Sequence, residues 1–260
     1  MGSGKILLAL ETSGKSGSVA VLRTASGVCL CSTEQLASDS GSAKTLAPAI
    51  ERLLAKESID IQSLDAIALL TGPGSFTGLR VGVATAKALA YALQIPVVEV
   101  DTLDTIAWQC LDTRSSIFAV FDAYRGQVFC AEFETRGRPA SQEIHRFTKK
   151  SPTEILDIDP LLERASRSGS SASISFCGPG CSRIKKHLDE ISVDHRADKT
   201  RWLDRIEWLD GPETYPVAES VARLGYVKFM DGECTDAFRV QPRYYRESAA
   251  EELAVSKKKP

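Results

Sequence analysis

The sequence has few of the residues that metal sites require. It contains only three histidines, His145, His187 and His195, and no two of them are one helical turn apart. A peptidase-type metal site needs such a pair and a third ligand. Its seven cysteines form no paired CxxC elements, and an odd number without an export signal favours reduced thiols. The sequence therefore predicts no metal site and argues against a metallopeptidase.

The sequence also lacks a surplus of positive charge and a long hydrophobic segment. Its formal net charge is −2 and its pI is about 6.0, whereas proteins that hold nucleic-acid backbones alone are usually basic. The apolar run before Glu11 is too short for a signal peptide or a membrane span. We therefore expect a cytoplasmic protein without membrane contact and without strong direct RNA binding.

The first half of the chain alternates strand-like and helix-like segments. Short β-type runs separated by Gly/Ser turns come first, and amphipathic or buried segments follow. The predicted strands are 5–10, 18–23, 28–35, 66–70 and 96–100, and the predicted helices are 44–57, 79–93 and 102–111. The order is βββαβαβ, closed by the last helix.

The second half repeats this order weakly. A hairpin comes first, then a weak strand and a helix-like segment, and then a strand, a glycine turn and a helix. The ranges are 116–123 and 126–134 for the hairpin, 142–147 for the weak strand, 152–165 for the helix-like segment, 173–188 for the strand–turn–helix unit and 215–233 for a last helix. Such duplication predicts two related halves.

The stretch TGPGSFTGLR, residues 71–80, joins a buried strand to a helix and allows two interpretations. Glycines at such a junction let backbone amides approach a phosphate. They also serve as a plain turn in which Ser75 or Thr77 caps the helix and Gly78 allows close packing. It is not a P-loop, because Gly78 is followed by Leu79 and Arg80.

The helix predicted over 79–93 is apolar on more than one face. It is therefore either a core helix covered by its own chain or a helix that presents one stripe to a partner. Its many alanines would let another helix approach closely.

Glu11, Thr12 and Ser13 at the end of the first strand resemble the first phosphate element of the actin, hexokinase and Hsp70 superfamily. FDAYRG (121–126) and CGPGC (177–181) resemble its second phosphate and adenosine elements. The resemblance implies an α/β, duplicated ribonuclease-H-like or actin-like ATPase fold with two βββαβαβα lobes. The lobes would be 1–106 and 107–246, with a disordered tail at 247–260. A vestigial nucleotide or anion site would comprise Glu11, Thr12, Ser13, Gly72, Gly74, Ser75, Asp122, Gly178 and Gly180.

Five stretches narrow the resemblance to the bacterial TsaB (YeaZ) family: ALETSGKSGSVAVL, LLTGPGSFTGLRVGVATAKALA, IPVVEVDTLDTIA, FDAYRGQVF and QPRYYR. The family implies a subunit without catalysis of its own in the synthesis of N6-threonylcarbamoyladenosine at position 37 of tRNA. It would form a heterodimer with the transferase TsaD, with the ATPase TsaE as further partner, and would contact tRNA only indirectly. For the isolated chain we expect a homodimer through the helices at 44–57 and 79–93, because an apolar face without its partner should pair with a second copy.

The resemblance places the TsaD interface on the helices at 44–57 and 79–93. The residues expected there are Leu46, Ile50, Leu53, Val83, Ala84 and Lys87. No cofactor is required, and weak nucleotide binding is left open. Glu11 stands where Asp is usual, and Tyr124 and Gln127 replace Arg and Glu, which weakens conventional magnesium–nucleotide chemistry. The alternative is a stand-alone kinase or ATPase on the same fold, for which Glu11, Asp122 and the glycine turns are a weak signature.

Overall fold

The computed structural model describes residues 4–14, 16–25, 28–37, 41–110, 115–134, 147–168, 173–192, 203 and 206–245. The chain forms two compact units. Unit 1 comprises Met1–Asp101 and Val217–Pro260, and unit 2 comprises Thr102–Pro216. Each unit contains one β-sheet with helices packed against it. The predicted α/β fold with two lobes is thus confirmed.

Unit 1 is built on a five-stranded sheet. Its strands are β1 (Ile6–Glu11), β2 (Ser18–Ala25), β3 (Val28–Gln35), β4 (Ala66–Gly72) and β5 (Val97–Asp101). Their order across the sheet is β3-β2-β1-β4-β5. The first three strands form an antiparallel meander, and β4 pairs parallel with both β1 and β5. The predicted order βββαβαβ of this half is confirmed.

Helices cover both faces of the sheet of unit 1. The helices are α1 (Ser42–Lys56), α2 (Phe76–Leu93) and α6 (Ala218–Met230). Successive side chains of a strand point to opposite faces. Leu8 and Ile67 therefore join the core formed with α1 and α2, whereas Ala68 faces α6 at the position of Gly225. Covering on both faces explains why β1 and β4 are nearly continuous apolar runs.

Unit 2 contains a six-stranded sheet. Its strands are β6 (Ser115–Asp122), β7 (Gln127–Glu134), β8 (Thr148–Lys149), β9 (Glu154–Asp157), β10 (Ser173–Cys177) and β11 (Ile206–Leu209). The order is β11-β10-β6-β7-β8, and β9 also pairs with β7. Helix α3 (Thr102–Gln109) packs on one face, and α4 (Ile158–Ser168) and α5 (Cys181–Ser192) pack on the other.

The structure departs from the predicted lobe boundary at 106/107. Helix α3, expected to close the first half, buries Leu103 and Ile106 against the sheet of unit 2. Helix α6, expected in the second lobe, packs on unit 1, where Ala218 N donates to Ser18 Oγ at 2.9 Å. Each unit is thus completed by a helix that the sequence order assigns to the other half.

Several local predictions also change. Residues 154–157 form strand β9 rather than helix, because they pair with β7, and the helix begins only at Ile158. Strand β11 falls in a polar stretch that gave no firm prediction. The expected strand at 142–147 lies outside the described residues except for Phe147, and the tail 247–260 lies wholly outside them. None of the helices in the described part of the chain is both long and apolar enough to cross a bilayer.

Candidate functional site

The nine residues of the predicted nucleotide site fall into two groups. Six lie in unit 1, at the ends of β1 and β4 and in the loop between β4 and α2. Three lie in unit 2, at the end of β6 and in the turn between β10 and α5. Each group sits where a strand ends beside the glycine turn that starts a helix. The geometry of each group follows within its own unit.

In unit 1, the Glu11 carboxylate is hydrogen-bonded to the turn of the hairpin that follows it. Its Oε1 accepts hydrogen bonds from Ser13 N at 2.6 Å, from Ser13 Oγ at 2.7 Å and from Gly14 N at 3.3 Å. Among the described residues, its Oε2 has no hydrogen-bond partner. The residue is 1% exposed, and this burial raises the pKa of Glu11 to about 7 against the three hydrogen bonds that lower it.

The glycine loop of unit 1 packs directly on the residues that follow Glu11. Ser75 N donates to Ser13 O at 2.7 Å. A Cβ on Gly74 would lie 2.6 Å from Ser13 Cβ, and a Cβ on Gly78 would lie 2.0 Å from Thr12 O. The space that these glycines leave free is therefore taken by the chain itself. Ser75 also caps α2, because its Oγ accepts from Gly78 N at 3.2 Å.

Gly72 has a different neighbour, the C-terminal segment. Its φ is +130°, a region that favours glycine. A Cβ there would lie 2.8 Å from Arg243 O, and Arg243 N donates to Thr71 O at 2.7 Å. The QPRYYR segment thus runs beside the end of β4. The sequence had given no role for this segment, and the structure shows that its backbone packs against the first glycine of the loop.

In unit 2, the Asp122 carboxylate is held by the helix that follows the glycine turn. Asp122 accepts from Tyr124 N at 2.8 Å and from Arg183 Nη2 at 2.9 Å. Arg183 lies in the first turn of α5. The turn packs on β6, since a Cβ on Gly178 would lie 2.6 Å from Val120 O and one on Gly180 would lie 2.8 Å from Phe121 N.

The two groups therefore do not fit a magnesium–nucleotide well. Glu11 is buried and hydrogen-bonded to its own hairpin, and Asp122 is engaged by Arg183. In both turns the close approach of chain segments accounts for the glycines. Of the two interpretations of TGPGSFTGLR, the turn with a helix cap is the one that the observed contacts support.

No metal centre is found in the described part of the chain: no three or more His, Cys, Asp or Glu residues there are placed to hold an ion. His187 Nε2 lies 2.8 Å from Asp159 Oδ1. His145 and His195 lie outside the described residues.

The predicted partner interface needs a correction. Leu46, Ile50, Leu53 and Val83 are 0–5% exposed and belong to the core of unit 1. The hydrophobic periodicity that singled them out marks the face turned to the sheet, not the face turned to solvent. Only Ala84 of the predicted set is exposed.

Lys87 is half-buried, and its Nζ donates to the carbonyls of Phe238 at 3.2 Å and Val240 at 3.3 Å. Apart from Ala84, the outer face of the helix pair consists of residues outside the predicted set. They are small or polar, and on α2 they include Thr77, Ala88 and Ala92.

Sequence reasoning missed an aromatic cluster on the flank of α2. The Phe76 and Tyr244 rings stack with centroids 4.4 Å apart, and the Arg80 guanidinium carbon lies 3.9 Å from the Phe76 centroid. Tyr91 meets Phe238 edge to face at 5.3 Å. The spacing of Phe76, Arg80 and Tyr91 along one helical stripe was the available signal.

Comparison with known proteins gives the family. The family model described as "TsaD: tRNA N6-adenosine threonylcarbamoyltransferase" matches residues 36–254. A Bacillus subtilis protein named "tRNA threonylcarbamoyladenosine biosynthesis protein TsaB" is 37% identical over 97 residues, 37% of this chain and 42% of that protein. The Haemophilus influenzae protein of the same name is 32% identical over 128 residues, 48% of this chain and 52% of that protein. The chain thus spans about half the length of these curated relatives.

A solved structure supports the fold. The structure described as "YeaZ from Pseudomonas aeruginosa" superposes with a TM-score of 0.68 and 24% identity, over 92% of this chain and 99% of that chain. At this identity the likeness concerns the fold. The family model, which matches most of the chain, and the curated relatives together show that the chain belongs to the TsaB (YeaZ) family.

Proposed function

We propose that this chain is a non-catalytic subunit of the machinery that makes N6-threonylcarbamoyladenosine in tRNA. It forms a heterodimer with the transferase TsaD, activates it, and has the ATPase TsaE as a further partner. The names of the curated relatives support the pathway. The match to the transferase family model supports a fold related to that of TsaD, and chains of related fold can pair through corresponding surfaces, as the two copies of an isologous dimer do.

The outer face of α2 is the observation that carries the proposal. Ala84, Ala88 and Ala92 are exposed and recur every four residues, so they lie along one side of the helix. Small side chains let the backbone of another helix approach closely. The buried side of α2 is meanwhile fully used, with Val83, Ala86 and Ala90 in the core of unit 1. The helix is therefore a core helix with a second face suited to a partner.

The proposed heterodimer interface uses this outer face together with the exposed residues of α1, such as Ala47 and Pro48. Without TsaD, the same face pairs with a second copy of the chain. TsaD supplies the chemistry, so the subunit requires no cofactor. The strand-end carboxylates and glycine turns then serve to hold each unit together, as their contacts indicate.

Co-expression with TsaD from the same organism, followed by size-exclusion chromatography, tests the pairing. Ala84→Asp places a charge on the outer face and is expected to abolish co-elution, whereas Ala84→Ser keeps the size and should co-elute like the original chain. Leu53→Asp is unsuitable, because Leu53 is 0% exposed and the change would unfold unit 1. Co-elution of Ala84→Asp at the original level would contradict the interface.

Turnover of ATP by the isolated chain separates the proposal from a stand-alone kinase or ATPase. The proposed subunit hydrolyses no ATP by itself. Steady hydrolysis that is lost in Glu11→Ala would contradict the proposal, because Glu11 is the carboxylate such an enzyme would place beside its metal.

A further inference from the structure

We propose that the flank of α2, together with residues 238–244, binds single-stranded RNA directly. The inference rests on the proposed function, which supplies an RNA substrate, and it concerns a surface beside the proposed protein interface. It departs from the expectation that this subunit contacts tRNA only indirectly. That expectation came from the family resemblance and from the net charge, and net charge says nothing about where the charges lie.

The surface is a continuous strip. Phe76, Arg80, Lys87 and Tyr91 fall within about 60° of one another around α2, at about 100° per residue. Residues 238–244 run alongside in the opposite direction, because Tyr91 and Lys87 meet Phe238 while Phe76 and Arg80 meet Tyr244. Over the 15 residue steps from Phe76 to Tyr91, the strip is about 22 Å long.

Exposed aromatic rings lie along this strip. Phe238 is 69% exposed, Tyr91 58% and Tyr244 44%. The large hydrophobic residues that are exposed on the strip are all aromatic. Every nucleobase has a face that stacks on such rings, so this composition suits unpaired bases. Aromatic rings are also enriched at protein interfaces, so the choice of RNA rests on the cations that are interleaved with the rings.

Cations are interleaved with the rings. Arg80 and Lys87 come from α2, and Arg239 and Arg243 come from the segment beside it. Three carboxylates of described residues lie nearby. Asp101 is 7% exposed, and its Oδ2 accepts from the Tyr245 hydroxyl at 3.3 Å. Glu99 is bonded to Arg243 at 3.1 Å and is 17% exposed, and Asp236 Oδ1 accepts from Phe238 N at 2.8 Å.

The strip is therefore locally positive although the whole chain carries a formal charge of −2. Alternating cations and aromatic rings are the combination with which proteins hold single-stranded nucleic acid. Arg80 is already ordered over the Phe76 ring, and a pre-ordered side chain loses less entropy on binding. The outer alanine face of α2 lies next to the strip around the helix, so both surfaces can be used together.

Binding is tested with an RNA hairpin of anticodon-loop sequence, by fluorescence anisotropy, using the full chain alone and in complex with TsaD. We expect Tyr91→Ala combined with Phe238→Ala to weaken binding about tenfold or more, because each stacked base is lost. Arg239→Gln should lower the salt dependence of the association constant by about 0.7 in the log–log slope. Arg167→Gln, an exposed arginine of unit 2, is the matched control and should change neither value.

Photocrosslinking from a 4-thiouridine in the hairpin loop decides the location. A crosslink to Tyr91 or to the peptide containing Phe238 supports the strip, and absence of both crosslinks overturns it. Unchanged RNA affinity of the double variant also overturns it. The same variants are passed over the column with TsaD: loss of co-elution with unchanged RNA affinity would make the strip a protein contact. Failure of the original chain to co-elute with TsaD counts against the proposed heterodimer, not against the strip.

Discussion

Glu11 in unit 1 and Asp122 in unit 2 occupy equivalent places but have different surroundings. Each ends a strand beside a glycine turn that starts a helix. The Glu11 carboxylate is 1% exposed and accepts three hydrogen bonds from its own hairpin. The Asp122 side chain is 34% exposed and pairs with Arg183 of the helix beyond the turn.

The difference concerns what holds each strand end in place. In unit 1 the glycine loop packs directly against residues 12–13, and the Glu11 carboxylate is buried. In unit 2 the glycine turn packs against residues 120–121, and the Asp122–Arg183 ion pair at the surface links β6 to α5. A buried carboxyl is costly when charged, whereas a surface ion pair contributes little. Changes in unit 1 should therefore have the larger effects.

The largest effect is expected for Gly78→Ala. Its new Cβ would lie 2.0 Å from the Thr12 carbonyl oxygen, so β1 and α2 would have to separate. We expect a loss of about 3 kcal/mol in the free energy of unfolding, at the upper end for overpacking. Urea unfolding measures it. Gly14→Ala is the control, because its new Cβ would lie 3.8 Å from the Ser16 carbonyl oxygen, an ordinary van der Waals distance. Equal stability of the two variants would contradict the close packing.

The next effect is a pH dependence from Glu11. Its folded pKa of about 7 lies above the value of 4.5 for an unburied glutamate, so the folded state binds the proton more tightly. The associated stability is fully present below pH 4.5 and is lost as pH rises to about 7. The loss is up to about 3 kcal/mol. Glu11→Gln should remove this dependence and make the protein more stable at pH 8.

Urea unfolding at pH 5 and pH 8 checks this prediction, with Asp122→Asn as the matched variant of unit 2. A Glu11→Gln protein that keeps the original pH dependence would show that Glu11 is not the group responsible.

A smaller effect is expected at the start of α2. Ser75→Ala removes the oxygen that accepts from Gly78 N, and loss of such a cap costs about 1 kcal/mol. Ser75→Asp retains an acceptor and should restore most of the stability. If alanine and aspartate behave alike in thermal unfolding, the cap does not contribute.

The smallest effect is expected for the surface ion pair of unit 2. Arg183→Met keeps much of the side-chain volume and removes the pair with Asp122. We expect a loss of about 0.5 kcal/mol or less in the free energy of unfolding. The loss should be smaller at high salt, because salt screens exposed ion pairs. A loss comparable to that of Gly78→Ala would remove the contrast between the two units.

The order of strands and helices in the first half was predictable because alternating and helical periodicities are local signals. Strand β9 was not predictable, because residues 154–157 are held by pairing with β7, which lies 24 to 30 positions earlier in the chain. Helices α3 and α6 were assigned to the wrong halves for a similar reason. The sheet on which each helix packs depends on which sheet face is not already covered, as where Gly225 of α6 lies against Ala68 of β4. The hydrophobic periodicity of a helix carries no information about this.

The proximity of the candidate residues was predictable from the sequence, but the contacts that they make were not. The sequence identified Glu11, Gly74 and Ser75, and the structure brings Gly74 and Ser75 against Ser13 beside Glu11. It could not reveal that the glycines accommodate the chain's own backbone. Likewise, helical periodicity identified Leu46 and Leu53 but could not distinguish a core face from a partner face.

Reconstituted threonylcarbamoylation of tRNA by TsaD, with this chain as the added subunit, tests the central claim most directly. Glu11→Gln and Ala84→Asp are compared side by side at equal concentrations of folded protein. If the strand end is structural and the outer face of α2 is functional, Glu11→Gln supports modification at the original rate and Ala84→Asp does not. Full activity of Ala84→Asp together with loss of activity in Glu11→Gln would contradict the account.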